Sequence, residues 1–317
     1  MATTTSITTT YAGEFAKEYI SAALLSGVTL DNGGITIKPN VKYKSVLKTL
    51  STDDIVKDAS CDFTDTSTIT LAERILQPKE LQVNLQLCKS DFHSDWEAVQ
   101  QGISAFDSLP PLFSDYLIAH VAAKVAEKTE QTIWVGDDTA NVGEFDGLTT
   151  LLAADAALPA GNEVAGTTVT ASNVITELGK IVDAIPSAVY GKEDLHIYIS
   201  QNIARAYVRA LGGFASNIGA NGIDNQGTLW YSGQGLTFDG VKLFVANGLG
   251  DDTAVAGQKS NFYFGTGLLD DRNEVKLLDM ADLDGSQNVR LIMRYTAGVN
   301  YGIVGDIVTY GITNSAN

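Results

Sequence analysis

The chain has 317 residues, 44% of them hydrophobic, with 30 glycines and a formal net charge of −17. That length suits one large folded domain or two modest ones, and the apolar fraction is ordinary for a folded protein. So acidic a chain has no uniform basic surface to hold nucleic acid tightly through its phosphates, and close self-association must rest on shape and apolar contact, against like-charge repulsion.

Two cysteines, Cys61 and Cys88, do not make a disulfide scaffold. Three histidines, His93, His120 and His196, are too scattered for a zinc site. The opening MATTTSITTTYAGEF lacks the basic flank and apolar core of a signal peptide. No apolar run reaches the length of a membrane-crossing helix, so synthesis in a cytoplasm is expected.

Residues 1–10 are Thr-rich without a buried pattern, a flexible or partner-dependent tail. In residues 11–25, Phe15, Tyr19 and Ala22 share one helical face and Gly27 can end the helix. This fits a surface helix, or an arm that docks on a neighbouring subunit. From Thr29 to Leu50 the chain alternates, with Ile35 and Ile37 about Thr36 and Val41 and Tyr43 about Lys42; Asn32-Gly33-Gly34 and Pro39-Asn40 interrupt these strand signals. Lys38, Lys42, Lys44 and Lys48 form the one basic cluster, either a solvated strand face or a contact with an acidic neighbour such as another copy.

Cys61, Phe63, Ile69, Leu71, Leu81, Val83, Leu85 and Leu87 continue a half-buried strand pattern, with a turn-rich joint at Asp62 to Ser67. This predicts a long antiparallel excursion with too few hydrophobes for a core of its own, so it needs something to lie on. Cys61 and Cys88 sit near its opposite ends and read as two buried thiols, or as a pair close enough to bond. Ser94-Asp95-Trp96-Glu97 is a capping box that opens a short helix, and Trp96 is expected to pack at the foot of the helix that follows.

That helix is the most legible element. In Leu112 to Glu130, Leu112, Tyr116, Ala119, Ala123 and Ala126 recur at helical spacing, with Leu117, Val121 and Val125 beside them, and Pro110 and Pro111 suit its first turn. At 1.5 Å per residue it would span roughly 28 Å. Thr132 to Gly136 reads as a strand or a close, Asp137 to Asn141 as an acidic loop, Leu148 to Ala157 as a short helix, and 158–168 as a loop. Thr170 caps a helix in which Val174, Leu178, Ile181, Val182 and Ile185 share a face, stopped by Pro186.

Leu195, Ile197 and Ile199 alternate with His196, Tyr198 and Ser200 in a buried strand. A helix follows from Ser200 or Gln201, carrying Ile203, Ala204, Tyr207, Val208 and Leu211, and ends at Gly212-Gly213. No Gly-x-Gly-x-x-Gly follows the strand, so this is not a dinucleotide-binding unit. Residues 214–235 are Gly- and Asn-rich, a long loop with a rim or lid role. Strands are expected at 240–245, 261–265, 275–278 and 289–295, with a closing apolar segment at 298–304.

Catalytic patterns are wanting. Cys88 and His93 lack an oxyanion hole, and neither a nucleophile elbow nor a phosphate-binding Gly-Lys-Thr loop occurs. With Gly285 at the sixth position of a calcium loop, the first and last ligands would be Met280 and Leu291, which excludes an EF-hand. Asp137-Asp138, Asp251-Asp252 and Asp270-Asp271 fit solvated turns or a loosely held divalent ion. His120 and His196 read as packing or surface residues. The sequence thus assigns no catalytic, cofactor-binding or metal-ligating residue, and an enzyme is not expected.

The order of elements resembles the major capsid proteins of tailed bacteriophages, the HK97-like fold. Residues 195–211, LHIYISQNIARAYVRAL, are similar to that family's strand feeding a helix in its axial domain. FDGVKLFVANGLG and NFYFGTGLLDD are similar to its strand pairs, and Asn288 to Tyr310 to its returning strands. The resemblance implies an α+β chain with an N-terminal arm at 1–40, an extended loop and its base at 41–90, and a peripheral domain with the long spine helix at 91–172. It further implies an axial domain at 173–265 and return strands at 266–317. It implies a structural role without cofactors: pentamers and hexamers of one chain in an icosahedral shell around double-stranded DNA, in a virion assembled in the host cytoplasm without a membrane. A separate scaffolding protein, a portal and auxiliary capsid proteins are the implied partners. No Lys and Asn can be matched to the self-crosslinking pair of one branch. The alternatives are a nanocompartment shell, a surface or adhesin protein, and, from a third class, a divalent-metal enzyme.

Overall fold

The computed structural model of the chain describes residues 28–52, 55–59, 61, 65, 67–88, 111–211, 236–267 and 275–315. In chain order these form a helical turn α1 (Val28–Asp31), strands β1 (Thr36–Lys38), β2 (Ser45–Thr52), β3 (Ile69–Leu76) and β4 (Lys79–Cys88), and the long helix α2 (Pro111–Val135). There follow α3 (Leu148–Ala153), β5 (Glu163–Val164), α4 (Val174–Ala184), β6 (Leu195–Ile199) and α5 (Gln201–Ala210). The last part holds β7 (Thr237–Phe238), β8 (Val241–Val245), β9 (Ala254–Gln258), β10 (Phe262–Thr266), β11 (Val275–Asp279), α6 (Ala281–Asp284), β12 (Asn288–Tyr301) and β13 (Val308–Tyr310). The expected helix at 11–25, the capping box at Ser94 to Glu97 with Trp96, Gly212-Gly213, the loop 214–235 and Asp270-Asp271 lie outside the described residues.

A five-stranded sheet is built on β12. Its odd-numbered residues from Val289 to Tyr301 are buried, while its even-numbered ones, Gly298 aside, are not, the period of two of a strand with one face on a core. β4 pairs antiparallel with Asn288–Ala297. β11 pairs with Val289–Met293 and β10 with Ala297–Tyr301. Since β4 already occupies one edge along those residues, β11 and β10 lie end to end on the other. β1 then adds parallel to β10. The buried face receives α2, so that Ile118, Val121, Val125, Ile133 and Trp134 share one core with Leu291, Met293, Tyr295 and Ala297.

The six-stranded sheet runs β5-β13-β9-β6-β8-β7. β6 and β8 are parallel and β6 and β9 antiparallel. One face is covered by α4 and α5, whose Val174, Leu178, Ile181, Ile203 and Tyr207 pack on Ile197, Leu243 and Ala256. From the other face Tyr198 reaches the first core, 5.1 Å from the Trp134 ring and 5.4 Å from that of Phe262. The third sheet is the pair β2–β3.

Several expectations need correction. Thr132 to Val135 is the last turn of α2, not a strand. Its β-branched residues favour a strand by propensity, but Ile133 and Trp134 are wholly buried, and the Thr129 and Thr132 hydroxyls donate back to the carbonyls of Val125 and Lys128 at 2.7 Å. Packing overrides propensity here. The buried stripe of α2 is also rotated: Ala119 and Ala123 are exposed, whereas Ile118, Val121, Val125 and Ala126 are buried, because larger side chains gain more from burial.

Thr29 to Asp31 is helical, and the 41–44 segment is not a strand. Asn173, not Thr170, occupies the N-cap position of α4, and α3 stops at Ala153. β12 runs without a break to Tyr301. The sequence reading missed β9, a central strand of sequence AVAGQ. It is covered on both faces and built from small residues, so the alternation that marks a strand is absent.

Candidate assembly surface

In the β2–β3 ribbon, Val46 lies opposite Ile75, Lys48 opposite Glu73, Leu50 opposite Leu71 and Thr52 opposite Ile69. Alternation places all of these on one face. That face is open, and its hydrophobes, interrupted by the Lys48–Glu73 pair, are exposed: Leu50 is 62% exposed, Leu71 71% and Ile69 62%. The opposite face carries Leu47 and Leu76, both buried, and a Cβ on Gly265 of β10 would lie 2.9 Å from Leu76 Cδ2. The root of the ribbon is thus packed on the five-stranded sheet, while the rest presents an apolar stripe to solvent. Ile55 and Val56, beyond the end of β2, are exposed as well.

Polar contacts fix the root. Arg74 pairs with the Asp155 carboxylate, and its guanidinium lies 4.4 Å from the centre of the Tyr301 ring. The Tyr301 hydroxyl donates to Asp155 Oδ2 at 2.8 Å, and Asn300 Nδ2 donates to the Ile75 carbonyl at 2.8 Å. Burial alone would raise the Asp155 carboxyl, but the Ala157 amide, Arg74 and Tyr301 together hold it below the usual carboxylate range. At the start of β4, Lys79 pairs with Asp138 and donates to the Glu144 carbonyl at 3.0 Å.

A second root lies where residues 1–27 give way to α1. Glu130 of α2 is buried and its carboxylate accepts the Thr29 amide at 3.0 Å and the Thr29 hydroxyl at 2.5 Å. The Trp134 indole in turn donates to Thr29 Oγ1 at 2.9 Å. Burial pushes the Glu130 carboxyl up, Asp31 adds to this, and the Thr29 donors oppose it. The i, i+4 spacing of Glu130 and Trp134 puts both on one face of α2, but nothing nearby in the chain marks Thr29 as the donor that lets Glu130 be buried.

A prediction follows with its sign. A group whose folded pKa is raised binds its proton more tightly folded than unfolded, so its stability contribution is complete below the unfolded value near 4.3 and is lost as pH rises through the folded pKa. Asp155, Glu144, Glu177 and Asp194 are lowered and act oppositely: their contribution is present above the unfolded value and is lost as pH falls through the folded pKa. Glu130→Gln removes one raised carboxyl and leaves the other, Asp31, in both proteins. Against this variant, the wild type should gain stability as pH falls from 7 to 4.5, measured by urea unfolding. A parallel pH dependence in the two proteins would refute the assignment.

The remaining sequence candidates do not converge. Lys38 lies over the Tyr263 ring and Lys44 over Tyr43, and Lys48 faces Glu73 across the ribbon. Asp137 accepts the amides of Thr139 and Ala140 in a turn. Asp252 accepts the Val169 amide and Asn202. Among the described residues, no three His, Cys, Asp or Glu side chains gather as a metal site would require. His196 Nδ1 sits 2.8 Å from the Asp194 carbonyl, and His120 is exposed on α2. Cys61 is exposed, contrary to a buried thiol, Cys88 is half-buried, and no disulfide joins the two. The segment Asp279 to Gly285 runs from the end of β11 through the short helix α6, which Gly285 closes in the left-handed region. Among the described residues no helix is long and apolar enough to cross a membrane.

No family model matches the sequence, and no curated protein matches it significantly. Solved structures do match in fold. A chain of the capsid of a native GTA particle superposes with a TM-score of 0.57 at 13% identity, over 92% of this chain and 91% of that one. The capsid of Myoviridae phage XM1 gives 0.56 at 14% identity, over 98% and 95%. A structure of Mycobacterium phage Adephagia gives 0.56 at 16% identity, over 90% and 89%. The chain therefore has an α+β fold of mixed sheets and helices that resembles the HK97-like capsid topology.

Proposed function

We propose that this chain is the major subunit of an icosahedral shell built from pentamers and hexamers of itself, enclosing double-stranded DNA in a virion. The observation that carries the reading is the ribbon: exposed hydrophobes on a two-stranded sheet that is held at its root and, beyond it, has no core of its own and suits a covering neighbour. The capsid-like fold supports the same reading. In it, residues 1–40 are the arm, 41–90 the extended loop, 91–172 and 266–317 the peripheral domain, and 173–265 the axial domain. The charge of −17 means that DNA is kept by enclosure rather than by basic contacts. A scaffolding protein, a portal and auxiliary proteins would act with it during assembly in the host cytoplasm. No residue is assigned a catalytic or cofactor role.

The test is electron microscopy with mass determination of the chain expressed alone and then with its genomic neighbours. Capsomer rings or closed shells are expected, and DNA-filled particles in the infected host. Shells that enclose a protein cargo and never DNA would favour a nanocompartment. A dispersed monomer under both conditions would overturn the shell role.

A further inference from the structure

We infer that the loop 136–147 and the groove at its base form a reciprocal two-fold contact between copies of this chain, Val142 of each copy entering the groove of the other. The inference rests on the shell reading above and names one of its contacts.

The loop is held far more firmly than its exposure requires. The Gly147 amide donates to the Gly136 carbonyl at 2.8 Å and closes the neck. A Cβ on Gly136 would lie 2.2 Å from the Phe145 carbonyl oxygen, so only glycine permits this approach. Asp137 Oδ1 accepts the Thr139 amide at 2.8 Å, the Thr139 hydroxyl at 2.7 Å and the Ala140 amide at 2.9 Å. Glu144 Oε2 accepts the Asp137 amide at 3.0 Å and Asn141 Nδ2 at 3.3 Å, while Oε1 pairs with Lys128 of α2. Asp146 accepts the Asp138 amide at 3.0 Å. Between these supports stands Val142, 102% exposed. An apolar side chain so displayed gains nothing in the monomer. A pre-ordered apolar anchor, by contrast, loses little freedom on docking.

The groove has a volume of about 430 Å³, and Val135, Thr149, Thr150, Ala153, Thr253 and Ile312 line it. Its hydroxyls are already used inside the protein. Thr149 donates to the Trp134 carbonyl at 2.6 Å, Thr150 to that of Gly136 at 2.7 Å and Thr253 to that of Gly250 at 2.6 Å. What the groove offers an occupant is chiefly methyl and CH groups, which suit a valine. Val135 is itself half exposed.

Position supplies the symmetry. Val135 directly precedes Gly136, and Thr149 follows Gly147 by two residues, so the neck of the loop stands at the rim of the groove. Val142 is at most six residues from the neck, on the order of 20 Å even fully extended. Anchor and socket on one copy are therefore neighbours, and its own socket leaves Val142 uncovered. Such a pair is self-complementary about a two-fold axis.

The test uses the full-length chain under conditions in which it assembles, with Cys61→Ser and Cys88→Ser as background. Val142→Cys and Ala153→Cys chains are mixed before assembly and oxidised. A covalent dimer is expected, and the double variant Val142→Cys/Ala153→Cys should also give dimers without a ladder. A ladder of higher species would overturn the two-fold arrangement. Assembled particles without the crosslink would overturn the contact and leave the shell reading standing; failure of the parent chain to assemble would overturn both. Val142→Asp should lower the yield of closed particles at least tenfold with an unchanged melting temperature. A wild-type yield from this variant would count against the contact.

Discussion

Leu50→Asp combined with Leu71→Asp is expected to abolish capsomer and shell formation while leaving the monomer folded. The two residues face each other across the ribbon and are 62% and 71% exposed, so the isolated chain loses almost no buried area. In an assembly, covering two leucines contributes on the order of 3–5 kcal/mol. The substituted carboxylates would have to be desolvated beside copies that each carry a charge of −17. At 1.4 kcal/mol per factor of ten, the concentration needed for assembly should rise at least about 100-fold. Sedimentation velocity and electron microscopy report the assembly, and thermal melting reports the fold. Ser51→Asp, on the opposite face and also exposed, is the control and should assemble. If the double variant assembles at wild-type concentrations, the stripe is not a contact surface.

Trp134→Ala should have the largest effect on the folded chain. The indole is fully buried and sits where three parts of the molecule meet. It belongs to α2, its ring lies 5.1 Å from that of Tyr198 on the six-stranded sheet, and its N–H donates to Thr29 at the root of the N-terminal segment. Truncation opens a cavity and costs about 3–5 kcal/mol, a large share of the roughly 5–15 kcal/mol that stabilises a domain. It also removes the indole N–H that holds Thr29 Oγ1, the hydroxyl that donates to the buried Glu130 carboxylate. Urea unfolding should show a midpoint far below that of the wild type, or expression should yield no soluble protein. A loss under about 1 kcal/mol would mean that the two sheets are not coupled through this ring.

These two residues mark what could be read in advance. The shortage of hydrophobes in the excursion, with Ile69 and Leu71 among the few, was legible; the open face they share with Leu50 was not. Trp134, in contrast, lies in Thr132 to Gly136, which reads as a strand or a close but forms the last turn of α2. Local propensity is worth a few tenths of a kcal/mol per residue, less than the burial of one aromatic ring, so the tertiary environment decided its conformation. The same reason explains β9: Ala254, Ala256 and Gly257 carry little hydrophobic signal, and their place at the centre of a sheet follows from what packs on both sides. Glu130 was unreadable in a similar way. A carboxylate on an amphipathic helix is solvated unless a distant segment supplies donors, and Thr29 lies 101 residues away.

By itself the sequence determined what depends on neighbours in the chain. Periodicity placed the long helix, α4, α5 and the strands β6, β8, β10, β11 and β12, and the scarcity of hydrophobes marked the ribbon as a segment without a core. The tertiary structure alone decided which face of the long helix is buried, that β10 and β11 share one edge of β12, which face of the ribbon stays open, and that Val142 stands beside a groove. Each of these depends on register and on contacts between residues far apart in the chain, and such contacts follow from the packing of whole elements rather than from any local pattern of side chains.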